Sequence, residues 1–189
     1  MTFSPSPSDD ERFLAGLLER HPDDSEIIRR LALAMLERGA APEAERLARR
    51  AVELAPGDGA TLAALGQILR RRGRPDDARA VFEQATRLAP DLAVAWHGLG
   101  ECLTTRPETH AAAIEALRRA TALAPLDPHP ATALAGLMMA LRRHDDAMTA
   151  FRLAAERSSP GIGDILNNLG VALERLERRD EAVAALRTA

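Results

Sequence analysis

Five histidines, one cysteine and twenty-five arginines are the side chains with which this 189-residue chain could hold a metal, attack a carbonyl or bind an anion. His21, His97, His110, His129 and His144 include no pair at i, i+3 or i+4, the spacing that sets two imidazoles on one helix face for a metal. Most of them fall where loops are expected. Cys102 is alone, which excludes an internal disulfide or a multi-cysteine metal knuckle, and it lies on what reads as the packed side of a helix, as a buried inert thiol does. Lysine is absent, so a Schiff base, a P-loop lysine and a lysine general base are ruled out. Gly-x-Gly-x-x-Gly, Gly-x-Ser-x-Gly and His-Glu-x-x-His are missing as well. The expectation is a chain without a catalytic residue, a metal or a cofactor.

The arginines come in runs: Arg29-Arg30, Arg49-Arg50, Arg70-Arg71-Arg72, Arg118-Arg119, Arg142-Arg143 and Arg178-Arg179. One reading is a basic stripe for phosphate or RNA. The other is that several close a helix, where cations complement the dipole and nearby acids balance them. A net charge of −3 and a pI near 6.0 favour the second and supply no overall field for nucleic acid or anionic lipid. Arg70 to Arg74 is the best local anion candidate.

The elements that must position these residues are helices. Hydrophobic residues make up 46% of the chain and aromatics only 3%, so the apolar content is mainly alanine and leucine, both strong helix formers. Such a core is expected to close around small side chains and not around aromatic anchors. The all-arginine usage suggests a GC-rich, bacterial genome. Residues 1–11 carry serine, proline and three acids, the reverse of a signal peptide, and the longest apolar run, 133–141, is too short to span a bilayer. A cytoplasmic protein without membrane insertion is expected.

A repeat orders the helices. Pro22, Pro56, Pro90, Pro125 and Pro160 stand 34, 34, 35 and 35 residues apart. Leu31, Leu65, Leu99, Leu134 and Leu169 keep step with them, as do Ala44, Ala78, Ala113, Ala147 and Ala182, then Ala51, Ala85, Ala120, Ala154 and Ala189. Proline ends each second helix because the residue before it leaves the α region. Pro42-Glu43 and Pro75-Asp76-Asp77 open second helices with proline near the start and acids in the first turn. Gly66, Gly100 and Gly170 sit inside helices at a cost of about 0.5–1 kcal/mol each, which implies a neighbour too close for a side chain. Two one-residue insertions, within 104–110 and 158–163, fall in expected loops.

This pattern resembles the tetratricopeptide repeat. The unit from Ala93 to Pro125 supplies Trp96, Leu99-Gly100, Leu103, Ala113, Leu117, Ala120 and Pro125, and the one before it Leu62, Leu65-Gly66, Leu69, Gly73, Ala78, Phe82, Ala85 and Pro90. The resemblance implies an all-α fold, an α-solenoid of about five helix-turn-helix repeats. Residues 1–8 are then a disordered tail and 9–24 a lone helix and turn, followed by units 25–58, 59–92, 93–127, 128–162 and 163–189. It also implies a function: docking a partner protein or peptide on the concave face lined by the first helices. The family's inward positions fall on Glu26, Arg29, Gln67, Arg70, His97, Glu101, His129, Thr132, Asp164, Asn167, Val171 and Glu174. Of these Arg29, Gln67, Arg70, His97, Glu101, Thr132, Asn167 and Glu174 are the expected peptide contacts. The paired Lys and Asn of the family's carboxylate clamp are absent. So is the asparagine ladder of its glycosyltransferase superhelix, where only Asn168 matches. Two other readings are a substrate-selecting N-terminal module of a longer enzyme, such as a glycosyltransferase or sulfotransferase, and an RNA-binding pentatricopeptide-like array, which the acidic balance disfavours. With no polar capping helix after Ala189, Val183 and Leu186 are expected at an uncovered edge, where the protein continues or two chains meet.

Overall fold

The computed structural model describes residues 6–157, and every regular element among them is helical. Two compact units divide between Cys102 and Leu103. The first holds α1 (Asp9–Arg20), α2 (Ser25–Glu37), α3 (Ala41–Leu54), α4 (Gly59–Arg71), α5 (Pro75–Leu88) and nearly all of α6 (Ala93–Leu103). The second holds a 3-10 turn at Pro107–Thr109, α7 (His110–Leu123), α8 (Pro128–Ala140) and α9 (His144–Arg157). Within the units α2 packs on α3, α4 on α5 and α8 on α9 as hairpins, while α1 lies on α2, α3 on α4 and α7 on α8. The fifth repeat, the second insertion and the C-terminal edge around Val183 and Leu186 lie outside the described residues.

Local chemistry sets the ends. α1, α3, α5 and α7 each stop two residues short of a proline. Aspartates in phase cap three of the first helices: Asp24 accepts from the Glu26 and Ile27 N–H groups, Asp58 from Ala60 and Thr61, and Asp127 from His129. Asp58 is held below the ordinary carboxylate range. Burial pushes it up, but the Thr61 hydroxyl, the two N–H bonds and the charge of Arg29 outweigh that.

The hairpin turns need a left-handed residue just past the first helix. Gly39 (φ 87°) and Gly73 (φ 73°) provide it, but in the α8–α9 turn the place falls to Arg142 at φ 58°. A side chain there costs about 1–2 kcal/mol, of which glycine's extra backbone entropy offsets roughly half. Arg142→Gly is therefore expected to stabilise the protein by about 0.5–1 kcal/mol in urea unfolding. An unchanged or lower midpoint would mean the turn is relaxed around Arg142 already.

The repeat columns form the core. Ala44, Ala78, Ala113, Ala147, Ala51, Ala85 and Ala120 are wholly buried, and Leu31, Leu65, Leu99 and Leu134 nearly so. The expectation of a core without an aromatic anchor needs correction: Phe82 of α5 is wholly buried and heads the large side chains enclosed there. A Cβ on Gly66 of α4 would stand 2.8 Å from the Phe82 ring, and one on Gly98 of α6 only 2.2 Å from its Cζ. Low aromatic content hid this because one ring between two glycines serves three helices. Gly66 thus has the close neighbour its sequence context implied, and Gly98, not singled out from sequence, meets a closer one.

Two buried carboxylates stand in the same phase. Glu11 of α1 and Glu45 of α3, 34 residues apart, each follow one turn of the repeat and reach arginines past the next hairpin's first helix. Glu11 takes Arg38 Nε and Nη2 at 2.8 Å each. Glu45 is bonded by Arg49 on its own helix, by Arg72 and, at 2.9 Å, by Arg74. Arg74 also holds Asp77 at 2.6 Å. The anion that Arg72 and Arg74 of this run attract is therefore the protein's own. One repeat on, Arg79 occupies the matching place and pairs with Glu83 of its own helix.

Candidate functional site

The three first helices of the first unit, α2, α4 and α6, enclose a pocket of about 330 Å³. Each contributes residues at helical spacing, which puts them on one face: Leu33, Leu36 and Glu37; Gln67, Arg70 and Arg71; Val94, His97, Gly98 and Glu101. The wall from α2 is mainly apolar, Val94 beside it is 37% exposed, and the remaining wall is polar. Arg70 Nη2 lies 3.1 Å from Glu101 Oε2, and His97 Nε2 lies 3.9 Å from the same oxygen. Arg70 Nε is buried with no acceptor among the described residues. α6 comes close enough to share this pocket because Gly98 lets its backbone ride on Phe82.

Of the eight expected contacts the structure brings Gln67, Arg70, His97 and Glu101 together on this pocket. Arg29 does not line it; its guanidinium clasps Glu26 on the same helix at 2.6–2.9 Å. Thr132 lies on α8 in the other unit, its hydroxyl donating to the Pro128 carbonyl at 2.9 Å. Asn167 and Glu174 lie outside the described residues. Leu33, Leu36, Val94 and Gly98 were missed, although their spacing with Gln67, Arg70 and His97 on the same helix faces is a signal the sequence carries.

The other chemistry-bearing groups are structural in their surroundings. Cys102 is buried, and that burial, aided by the charge of Glu101 and only partly offset by that of Arg70, raises its thiol to about 11, so it is not a nucleophile at neutral pH. The histidines are less loop-bound than expected. His97 is inside α6, His129 is in the first turn of α8, and His110 and His144 open α7 and α9, where the helix pattern extends further toward the preceding turn than alanine and leucine periodicity suggested. Among the described residues no three His, Cys, Asp or Glu side chains gather as a metal site, and no helix is long and apolar enough to cross a membrane. A second pocket of about 330 Å³ lies in the other unit between α7, α8 and α9, over Leu134 and Met138.

Solved structures share this architecture. MamA is 27% identical, with a TM-score of 0.70 over 83% of this chain and 91% of its own. TTC0263, a thermophilic tetratricopeptide repeat protein of Thermus thermophilus, is 23% identical with a TM-score of 0.74 over 86% of this chain and 88% of its own. YrrB, described as a tetratricopeptide repeat protein with an unusual peptide-binding site, is 21% identical with a TM-score of 0.65 over 92% and 89%. No curated protein matches the sequence. The tetratricopeptide repeat profile matches residues 63–128 and 132–189, and a second profile of the same description matches 24–91. Profiles spanning well over half the sequence agree with helices paired into hairpins over buried alanine columns, and the chain belongs to the tetratricopeptide repeat family.

Proposed function

We propose that this chain is a non-catalytic interaction module, acting in the cytoplasm, that docks a segment of a partner protein against the first helices of its N-terminal unit. A family built of repeats that bind proteins supports the general role. The observation that carries the finer reading is the pocket itself: Gln67, Arg70, His97 and Glu101 converge there beside an apolar wall. A concave site with an apolar side and a few oriented polar groups is what an extended segment needs for affinity and register.

The test places a photo-crosslinking residue at Val94, in the pocket, or at Arg12, on α1 away from it. Capture of one partner from Val94 and not from Arg12 is expected. In calorimetry with that purified partner, Gln67→Ala with His97→Ala should weaken binding by about tenfold or more. Undiminished affinity in the double variant would place the binding surface elsewhere.

A further inference from the structure

We infer that the α2–α4–α6 pocket takes a neutral aliphatic side chain of the docked segment, the size of leucine, isoleucine or methionine, and turns away an acidic one. This rests on the groove-docking reading above and adds the chemistry of the residue that anchors in it. Leu33, Leu36 and Val94 offer that side chain an apolar wall, and Val94 is 37% exposed without it. The volume of about 330 Å³ is at the small end of the roughly 300–1,000 Å³ typical of ligand sites. One side chain and its adjoining backbone fill it; a folded element does not.

The charges decide what that side chain is. Arg70 is already joined to Glu101, at 3.1 Å, with both groups partly withdrawn from water. At the rim Arg71 and Glu37 are exposed, make no ion pair among the described residues and cancel one another. An incoming carboxylate would compete with Glu101 for Arg70 and set a second negative charge beside the partly buried Glu101, a like-charge approach that costs more than the shared cation returns. An incoming ammonium or guanidinium meets the reverse difficulty at Arg70. An aliphatic side chain disturbs neither charge, covers Val94 and excludes water from the ion pair.

The intact chain, panned against a random peptide library, provides the test. Selected peptides are synthesised and titrated against wild type, Val94→Glu and Arg70→Gln, with thermal melts alongside. Peptides sharing one aliphatic position are expected. Alanine at that position, or Val94→Glu in the protein, should weaken binding about tenfold or more, and aspartate at that position should weaken it further. Because the alanine arm leaves the protein unaltered, the result stands even if a variant folds poorly. Peptides sharing Asp, Glu or a terminal carboxylate, and lost with Arg70→Gln, would overturn this inference and leave groove docking intact. Selection of no peptide sensitive to Val94→Glu or Arg70→Gln would overturn both.

Discussion

Truncating Phe82 to alanine is expected to destabilise the first unit by about 3–5 kcal/mol, the range for emptying a fully enclosed aromatic site. The ring fills the space that Gly66 and Gly98 leave open on two different helices, so neither helix can collapse into the void without losing its place against the other. The complementary change, Gly98→Ala, puts a Cβ 2.2 Å from Phe82 Cζ and is expected to cost about 1–3 kcal/mol through overpacking. Joined to Phe82→Leu, which withdraws the ring edge, the alanine should cost markedly less than it does alone. Urea unfolding followed by the fluorescence of Trp96, on the same helix as Gly98, reads all four corners of that cycle. Additive costs would show that ring and glycine do not meet as described.

The sequence made the repeat legible because its strongest constraints are local. Proline stops, columns of buried alanine and small residues at helix crossings each follow from what one or two neighbours permit. Hairpin order and helix ends could therefore be read from Pro22, Pro56, Pro90 and Pro125 together with Leu31 to Leu134. Gly98 was not legible in the same way: its partner, Phe82, belongs to the previous hairpin, and the family pattern draws attention to Gly100 two positions on. The pocket was half legible. Inward polar positions fall on one helix face by spacing alone, whereas its apolar wall comes from α2, two helices away in sequence from α4. Arg29 looked equally suited from its position, but Glu26 stands one turn before it, and an i, i+3 pair on a helix surface competes with any ligand.

Glu45 was invisible to pattern reasoning because burial of a charge depends on what surrounds it, and its arginines arrive 27 and 29 residues later. Its side chain is 1% exposed, yet Arg49, Arg72 and Arg74 keep about 36–48% of theirs in water. The desolvation cost therefore falls chiefly on the carboxylate. Burial pushes its pKa up; the hydrogen bond from Arg72 and the charges of Arg49, Arg72 and Arg74 more than reverse this, and the net shift is downward from 4.5. Such a group lends the fold stability that is complete above pH 4.5 and lost as pH falls through the lower folded value. Glu45→Gln removes the charge and keeps the shape. At pH 7 it is expected to cost about 2 kcal/mol, less than for a wholly buried pair because the guanidiniums regain water. As the medium is acidified below pH 4.5 and on through the lower folded value, the wild-type carboxyl becomes neutral too, and the two stability curves should converge. Added salt should leave most of the gap at pH 7, since a carboxylate this enclosed is poorly screened. Chemical unfolding across the pH range measures both curves. A gap that stays constant on acidification far below pH 4.5 would show that Glu45 contributes shape and hydrogen bonding but no charge, and that the turn between α4 and α5 is held by something else.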